Sequence, residues 1–311
     1  MKRTNKNLTD GTQVESVRLE LKNYMDEHGI SRVTVARGIG KTHPLVSQFL
    51  NNKYPGDVAE VARLIESWLV KQHEKAASKK VVINYVQTSV AKKVREILRI
   101  AHIEAETVAL IGQAGLGKST ALKAYLNENP DAILIDTDPT FTAKVMMQTL
   151  ATSIGEDTHL SLHDLNENII NRLKGSGRII LVDEAENLPL RALECLRRVH
   201  DKAGVGLVLA GMPRLMVNLR GKNGELKQLY SRVAFKLDMG EVIPDSDLRM
   251  IVDQTLPGIE EDVALEFIAA ADGNTRKLSK LIGGVTRLAR INDNAEISTE
   301  MVRQYKEMLI H

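Results

Sequence analysis

The run Gly112-Gln113-Ala114-Gly115-Leu116-Gly117-Lys118-Ser119 spaces glycines, a lysine and a hydroxyl as G-x-x-x-x-G-K-[ST]. Glycines in that pattern let the main chain wrap closely enough for consecutive N–H groups to face phosphate oxygens at a helix N-terminus. Lys118 is then expected to reach the β- and γ-phosphates of ATP, the Ser119 hydroxyl to coordinate Mg²⁺, and Thr120 to continue the cradle. The motif directly follows the apolar run Thr107–Ile111 and precedes a helical pattern, the context a P-loop requires.

A second constellation is Arg178-Ile179-Ile180-Leu181-Val182-Asp183-Glu184, an apolar strand pattern that ends in two acids. Placed at the carboxyl edge of a sheet beside the P-loop, Asp183 holds Mg²⁺ through water and Glu184 orients or deprotonates the water that attacks the γ-phosphate. Two arginines extend this expectation. Arg232, just before an apolar run, is placed to point out of the protomer toward a neighbour's γ-phosphate, where a guanidinium neutralises transition-state charge. Arg276, in Gly273-Asn274-Thr275-Arg276, opens a helix and can report nucleotide state from within the same chain.

Elements must position these groups. Strand-length runs at Thr107–Ile111, Ala132–Asp136, Ile179–Val182, Gly206–Ala210 and Val233–Leu237 alternate with helical periodicity, which predicts an α/β fold with a parallel sheet. Ser161 with Asp164 marks one helix start, followed by Leu162, Leu165, Ile169 and Leu173 at helical spacing. From Asp245 onward only helical periodicity is found. The organisation expected is a loose tail over 1–13, an all-α helix-turn-helix domain over 14–70, a linker over 71–88, the P-loop core over 89–242 and a small helical domain over 243–311.

The amino-terminal part has the helix lengths and turns of a helix-turn-helix. Gly38-Ile39-Gly40 is the turn, and His43–Asn51 the helix offered to the major groove, with Val46 and Leu50 on its core face. Ser47 and Gln48 are the candidates for base edges, and Lys41, Thr42 and Lys53 for phosphate, with His43 at the helix start. Residues 1–80 hold 14 Lys and Arg against 9 Asp and Glu, and residues 81–311 hold 28 against 31, so the basic excess sits at the amino end. Hydrophobic residues make up 43% of the chain, enough for packed cores, without an apolar run of membrane-helix length or a signal-peptide core, so a cytoplasmic protein without a membrane partner is expected. The single cysteine, Cys195, excludes an internal disulfide and reads as a small core residue.

With these parts in chain order, the sequence resembles the AAA+ activators of phage Mu-type transposition and, more distantly, the ATPase partners of other transposons. Val46-Ser47-Gln48-Phe49-Leu50-Asn51-Asn52-Lys53-Tyr54, the P-loop, Ile180 to Leu188, Gly206 to Gly211 and Ser231-Arg232 carry the likeness. The resemblance implies an AAA+ ATPase that binds double-stranded DNA with little sequence preference, self-associates into ATP-dependent filaments and stimulates a transposase. One departure stands out: Met212 follows the fourth strand where that family usually offers a polar sensor residue, and a thioether cannot position water in that way. Two other readings fit the same motifs, a nucleotide-responsive regulator of one operator and an ATPase of a secretion or helicase-loading machine.

Overall fold

A computed structural model describes residues 4–77, 83–220, 230–292 and 295–309. The chain divides into two units, Met1–Lys80 and Val81–His311.

In the first unit, α1 (Thr4–His28), α2 (Arg32–Gly38), α3 (His43–Leu50) and α4 (Val58–Ala77) enclose one core. Gly29 and Gly40 adopt positive φ between successive helices, and the Ser31 hydroxyl accepts from the Thr34 N–H to start α2. Leu21, Val35, Val46, Phe49 and Ile65 are fully buried. The core pair of α3 is therefore Val46 with Phe49, and Leu50, expected there, is only half-buried. Spacing of three and spacing of four both fit one helical face, so periodicity could not separate them. The loose tail expected over 1–13 is a further difference, because α1 already begins at Thr4. Once a packed segment nucleates a helix, each added polar residue costs little to propagate it. Likewise α4 runs on to Ala77 into the stretch expected as a linker, whose residues 78–82 lie outside those described.

The second unit is built on a five-stranded parallel sheet in the order β2-β3-β4-β1-β5, the strands being β1 (Thr107–Ile111), β2 (Ala132–Asp136), β3 (Ile179–Asp183), β4 (Gly206–Gly211) and β5 (Val233–Asp238). Each expected strand is present, three of them one residue longer at the carboxyl end. Strand alternation divides the side chains between two cores. Ala109, Ile111, Ile180, Val182, Leu207 and Leu209 face α7 (Ala143–Ser153), α8 (Leu162–Leu173), α9 (Leu190–Ala203) and α10 (Arg214–Arg220). Val108, Leu110, Ile179, Leu181, Val208 and Ala210 face α5 (Ser89–Ile103) and α6 (Lys118–Glu128). Cys195 packs half-buried against the first of these cores.

The helix after β1 thus crosses to the opposite face from the helices after β3 and β4, which leaves a crevice at the carboxyl ends of these strands. Beyond β5 the chain is helical: α11 (Asp245–Thr255), α12 (Glu261–Ala271), α13 (Thr275–Ile291) and α14 (Thr299–Glu307) share a third core within this unit. The P-loop's Leu116 is 3% exposed and belongs to that third core. One residue of the phosphate cradle is thereby locked into the helical group.

Candidate nucleotide site

Main-chain pairing brings the expected motifs together. β4 lies between β1 and β3, so the turns after these three strands open side by side, and the Gly112 N–H donates to the Gly211 carbonyl at 3.2 Å. A cleft of about 600 Å³ at this edge is lined by Gly115, Lys118, Ser119, Asp183, Glu184 and Arg276, among others. Gly115 and Gly117 sit at φ +84 and +93, in the left-handed region that a side chain disfavours. Lys118 is buried, and its Nζ donates to the carbonyls of Gly112 and Gln113 at 2.7 and 2.8 Å. Burial holds its ammonium below the usual lysine pKa, a shift that the Glu186 and Asp183 carboxylates oppose and Arg276 reinforces.

Of the remaining cradle residues, Ala114, Gly117 and Thr120 line the cleft, whereas the Leu116 side chain points into the helical core. Asp183 is 3% exposed, and its Oδ1 accepts from the Glu184 N–H at 3.0 Å. Glu184 itself is exposed, with φ 53 and ψ 37. A non-glycine residue in that region carries strain of order 1 kcal/mol or more and persists only where its surroundings enforce it. Here the enforcement is the buried Thr137 at the end of β2, whose hydroxyl donates to the carbonyls of Asp183 and Glu184 at 2.9 and 2.8 Å. Asn187 Nδ2 then donates to Glu184 Oε2 at 3.1 Å.

The helical group closes the cleft from the other side. Asn274 caps α13 and donates through Nδ2 to the Ala114 carbonyl at 3.0 Å, while the Thr275 hydroxyl and the Arg276 N–H donate to the Gly115 carbonyl at 2.6 and 3.2 Å. A smaller cavity of about 140 Å³ continues past Gly117 and Thr120. Its walls include Ile83, Tyr85, Val86, Val90, Leu116 and Ile251, an apolar lining suited to a flat ring. Asp247 on α11 fixes this wall by accepting from the N–H groups of Ser89 and Val90 at 3.0 and 2.9 Å. Burial raises its carboxyl pKa, but these hydrogen bonds outweigh the burial and leave it below the ordinary aspartate value.

Sequence reading did not find Thr137, Asn187, Asn274, Asp247 or residues 83–91. The only signal for Thr137 was its place after a strand beside the one ending in Asp183; residues 83–91 carry no motif, because an apolar pocket needs shape rather than particular residue types. Met212 lines the cleft with its side chain exposed, and its N–H donates to Glu186 Oε1 at 3.1 Å. Arg232 is not among the residues lining the cleft and pairs with Asp201 at 3.4 Å.

The groups expected to meet DNA all lie in the first unit. Thr42, His43, Gln48 and Lys53 are exposed, Ser47 accepts from Arg32 at 3.2 Å, and Lys41 pairs with Glu60 at 3.1 Å. Of the basic residues scattered in the core, Arg95 pairs with Glu128, Arg197 with Glu194 and Asp201, and Arg198 with Glu167. Lys222 and Lys227 lie outside the described residues. Arg18, buried and unnoticed in sequence, donates through Nε to the Phe49 carbonyl at 2.8 Å and through Nη2 to Asn52 Oδ1 at 3.1 Å, closing the end of α3.

Comparison with known proteins bears out the resemblance read from the sequence. Residues 101–241 match the family described as AAA domain. The chain is 27% identical over 271 residues to the ATP-dependent target DNA activator B of Escherichia phage Mu, covering 86% of each chain. It is 27% identical over 220 residues to the Mu-like prophage FluMu DNA transposition protein B of Haemophilus influenzae, covering 69% of this chain and 77% of that one. Among solved structures, the Aeropyrum pernix ORC2 protein superposes with a TM-score of 0.58 at 15% identity, over 75% of this chain and 73% of that one. The fold is that of an AAA+ P-loop protein with a parallel five-stranded sheet.

Proposed function

We propose that this AAA+ protein is an ATP-dependent DNA-binding ATPase that assembles on target DNA and directs a transposase to it. The observation that carries the reading is the convergence of Lys118, Ser119, Asp183 and Glu184 on one cleft, supported by the likeness to the phage Mu target DNA activator over most of both chains. A hydroxyl that coordinates directly and a carboxylate that holds the ion through water are hard oxygen donors that suit Mg²⁺, and they leave room for phosphate oxygens and water to complete its shell. In this reading the main-chain N–H groups of the P-loop bind the phosphates and Lys118 exchanges its carbonyl partners for phosphate oxygens. Glu184 takes the proton of the attacking water, and Arg276 faces the phosphates from α13.

On the first unit, His43 and Gln48 of α3 and Lys53 beyond its end are exposed and available to DNA, with Lys41, Thr42 and Ser47 around them. The Lys41–Glu60 ion pair is a surface pair worth about 0–1 kcal/mol, so a DNA phosphate can displace it at little cost. Backbone contacts of this type give binding with little sequence preference and a steep salt dependence. The test is binding of plain duplex at fixed salt with ATP, ADP or no nucleotide, followed by electron microscopy and footprinting. Tight binding confined to the ATP state, with continuous filaments, supports the reading. Equal binding in all three states removes the ATP gate, and protection of one short palindrome points to an operator-bound regulator instead.

A further inference from the structure

The end of β4 poses a chemical problem, because Met212 stands at the cleft where a γ-phosphate contact is expected and has no side-chain donor to give. Two residues on, Arg214 begins α10 and also lines the cleft. It is exposed, with no hydrogen-bond or ion-pair partner among the described residues. Arg276 lines the same cleft from α13, whereas Arg197 and Arg198 are engaged with acids of α8 and α9 and Arg232 with Asp201.

The turn that carries Arg214 is held in register with Glu184. Glu186, two residues after Glu184, accepts the Met212 N–H on Oε1 at 3.1 Å, and its carbonyl accepts from Asn218 Nδ2 at 3.0 Å. A Cβ on Gly211 would fall 2.1 Å from Glu186 Oε2, so the carboxylate can seat against this turn only because residue 211 is glycine. Leu215, next to Arg214, is fully buried in the core under the sheet. The backbone of Arg214 is thus fixed while its side chain is free to turn into the cleft. Because β4 lies between β1 and β3, this turn opens between the P-loop and Glu184, the space that a terminal phosphate and its attacking water share.

We infer that Arg214 reads the γ-phosphate from within its own protomer, supplying through its guanidinium the contact that Met212 cannot make. A planar fork of donors matches phosphate oxygens two at a time, a geometry that neither methionine nor lysine reproduces. The role rests on the nucleotide-binding reading above, and it separates triphosphate from diphosphate, since only the former places acceptors at the Glu184 end of the cleft.

The test is calorimetric binding of Mg²⁺-AMPPNP and of Mg²⁺-ADP to the full chain without DNA, for the wild type, Arg214→Ala and Arg214→Lys. Arg214→Ala is expected to weaken AMPPNP by roughly 10-fold or more, the scale of a lost charge-assisted hydrogen bond, and to leave ADP within about twofold. Arg214→Lys is expected to fall between them. A parallel loss of both nucleotides, or no loss of either, overturns the inference. If the alanine variant melts lower without ligand, Arg214→Gln, which keeps the aliphatic stem and loses the charge, carries the same comparison. Failure of the wild type to bind either nucleotide would instead strike at the nucleotide site as a whole.

Discussion

At the scale of single residues, the site invests strain in Glu184 and stabilises it with neutral neighbours. Thr137 fixes the two carbonyls around it and Asn187 holds one carboxylate oxygen, so its orientation is set before substrate arrives. Glutamine has the same shape and can still accept from Asn187, but it cannot take a proton. Glu184→Gln is therefore expected to retain ATP affinity and lose about 100-fold or more in turnover, measured by equilibrium binding and phosphate release. Turnover at the wild-type rate would remove Glu184 from the base role. Lys118→Ala is a different kind of loss. Its buried ammonium is the cation already inside the P-loop, and that burial holds it below the ordinary lysine pKa. The variant is expected to bind neither ATP nor ADP at concentrations that saturate the wild type; calorimetry decides the matter, and undiminished affinity would contradict the P-loop assignment.

At the scale of elements, the informative contact is between α13 and the P-loop, where Asn274, Thr275 and the Arg276 N–H all meet main-chain carbonyls of Ala114 and Gly115. The five strands were legible because buried parallel strands read as short apolar runs between turn signals, and both acids of the β3 edge were legible with them. The P-loop was legible because phosphate binding constrains residue type at fixed spacing. The closing contact was not, since Asn274 and Ala114 lie far apart in sequence and a capping asparagine looks the same whether or not it touches a second element. Asp247 was hidden for the same reason: it reads as an acid in a helix's first turn, yet it caps α5. Its folded pKa is depressed, so its contribution to stability is complete above the unfolded aspartate value, near 3.9, and disappears as pH falls through the folded value. Asp247→Asn is expected to destabilise the unit by about 1–2 kcal/mol near neutral pH, the cost of losing a charged cap. The difference in melting temperature from wild type is expected to shrink below about pH 4. A gap that stays constant down to pH 2.5 would show that the carboxylate charge is not what holds α5.

At the scale of the whole molecule, the question is what a single protomer lacks. Its cleft collects Lys118, Arg214 and Arg276 against Asp183, Glu184 and Glu186, while Arg232 sits on the surface beside Asp201. An arginine 58% exposed in its side chain and held by one acid is readily exchanged for a phosphate, because a surface ion pair contributes only about 0–1 kcal/mol. Arg232 adjoins β5, an edge strand of the sheet whose outward residues Phe235 and Lys236 are exposed, so a neighbouring copy can approach it without disturbing a core. If Arg232 acts on a neighbour's γ-phosphate, its removal leaves ATP affinity of the dilute protein unchanged and slows turnover only once subunits stand side by side on DNA. Arg232→Ala is therefore expected to bind ATP as the wild type does and to lose roughly 1,000-fold of the DNA-stimulated turnover. Asp201→Ala, which frees the same arginine, is expected to keep it. Normal turnover of Arg232→Ala in the DNA-bound assembly would mean that the protomer's own cations suffice, and the guanidinium on Asp201 would then be only a surface pair.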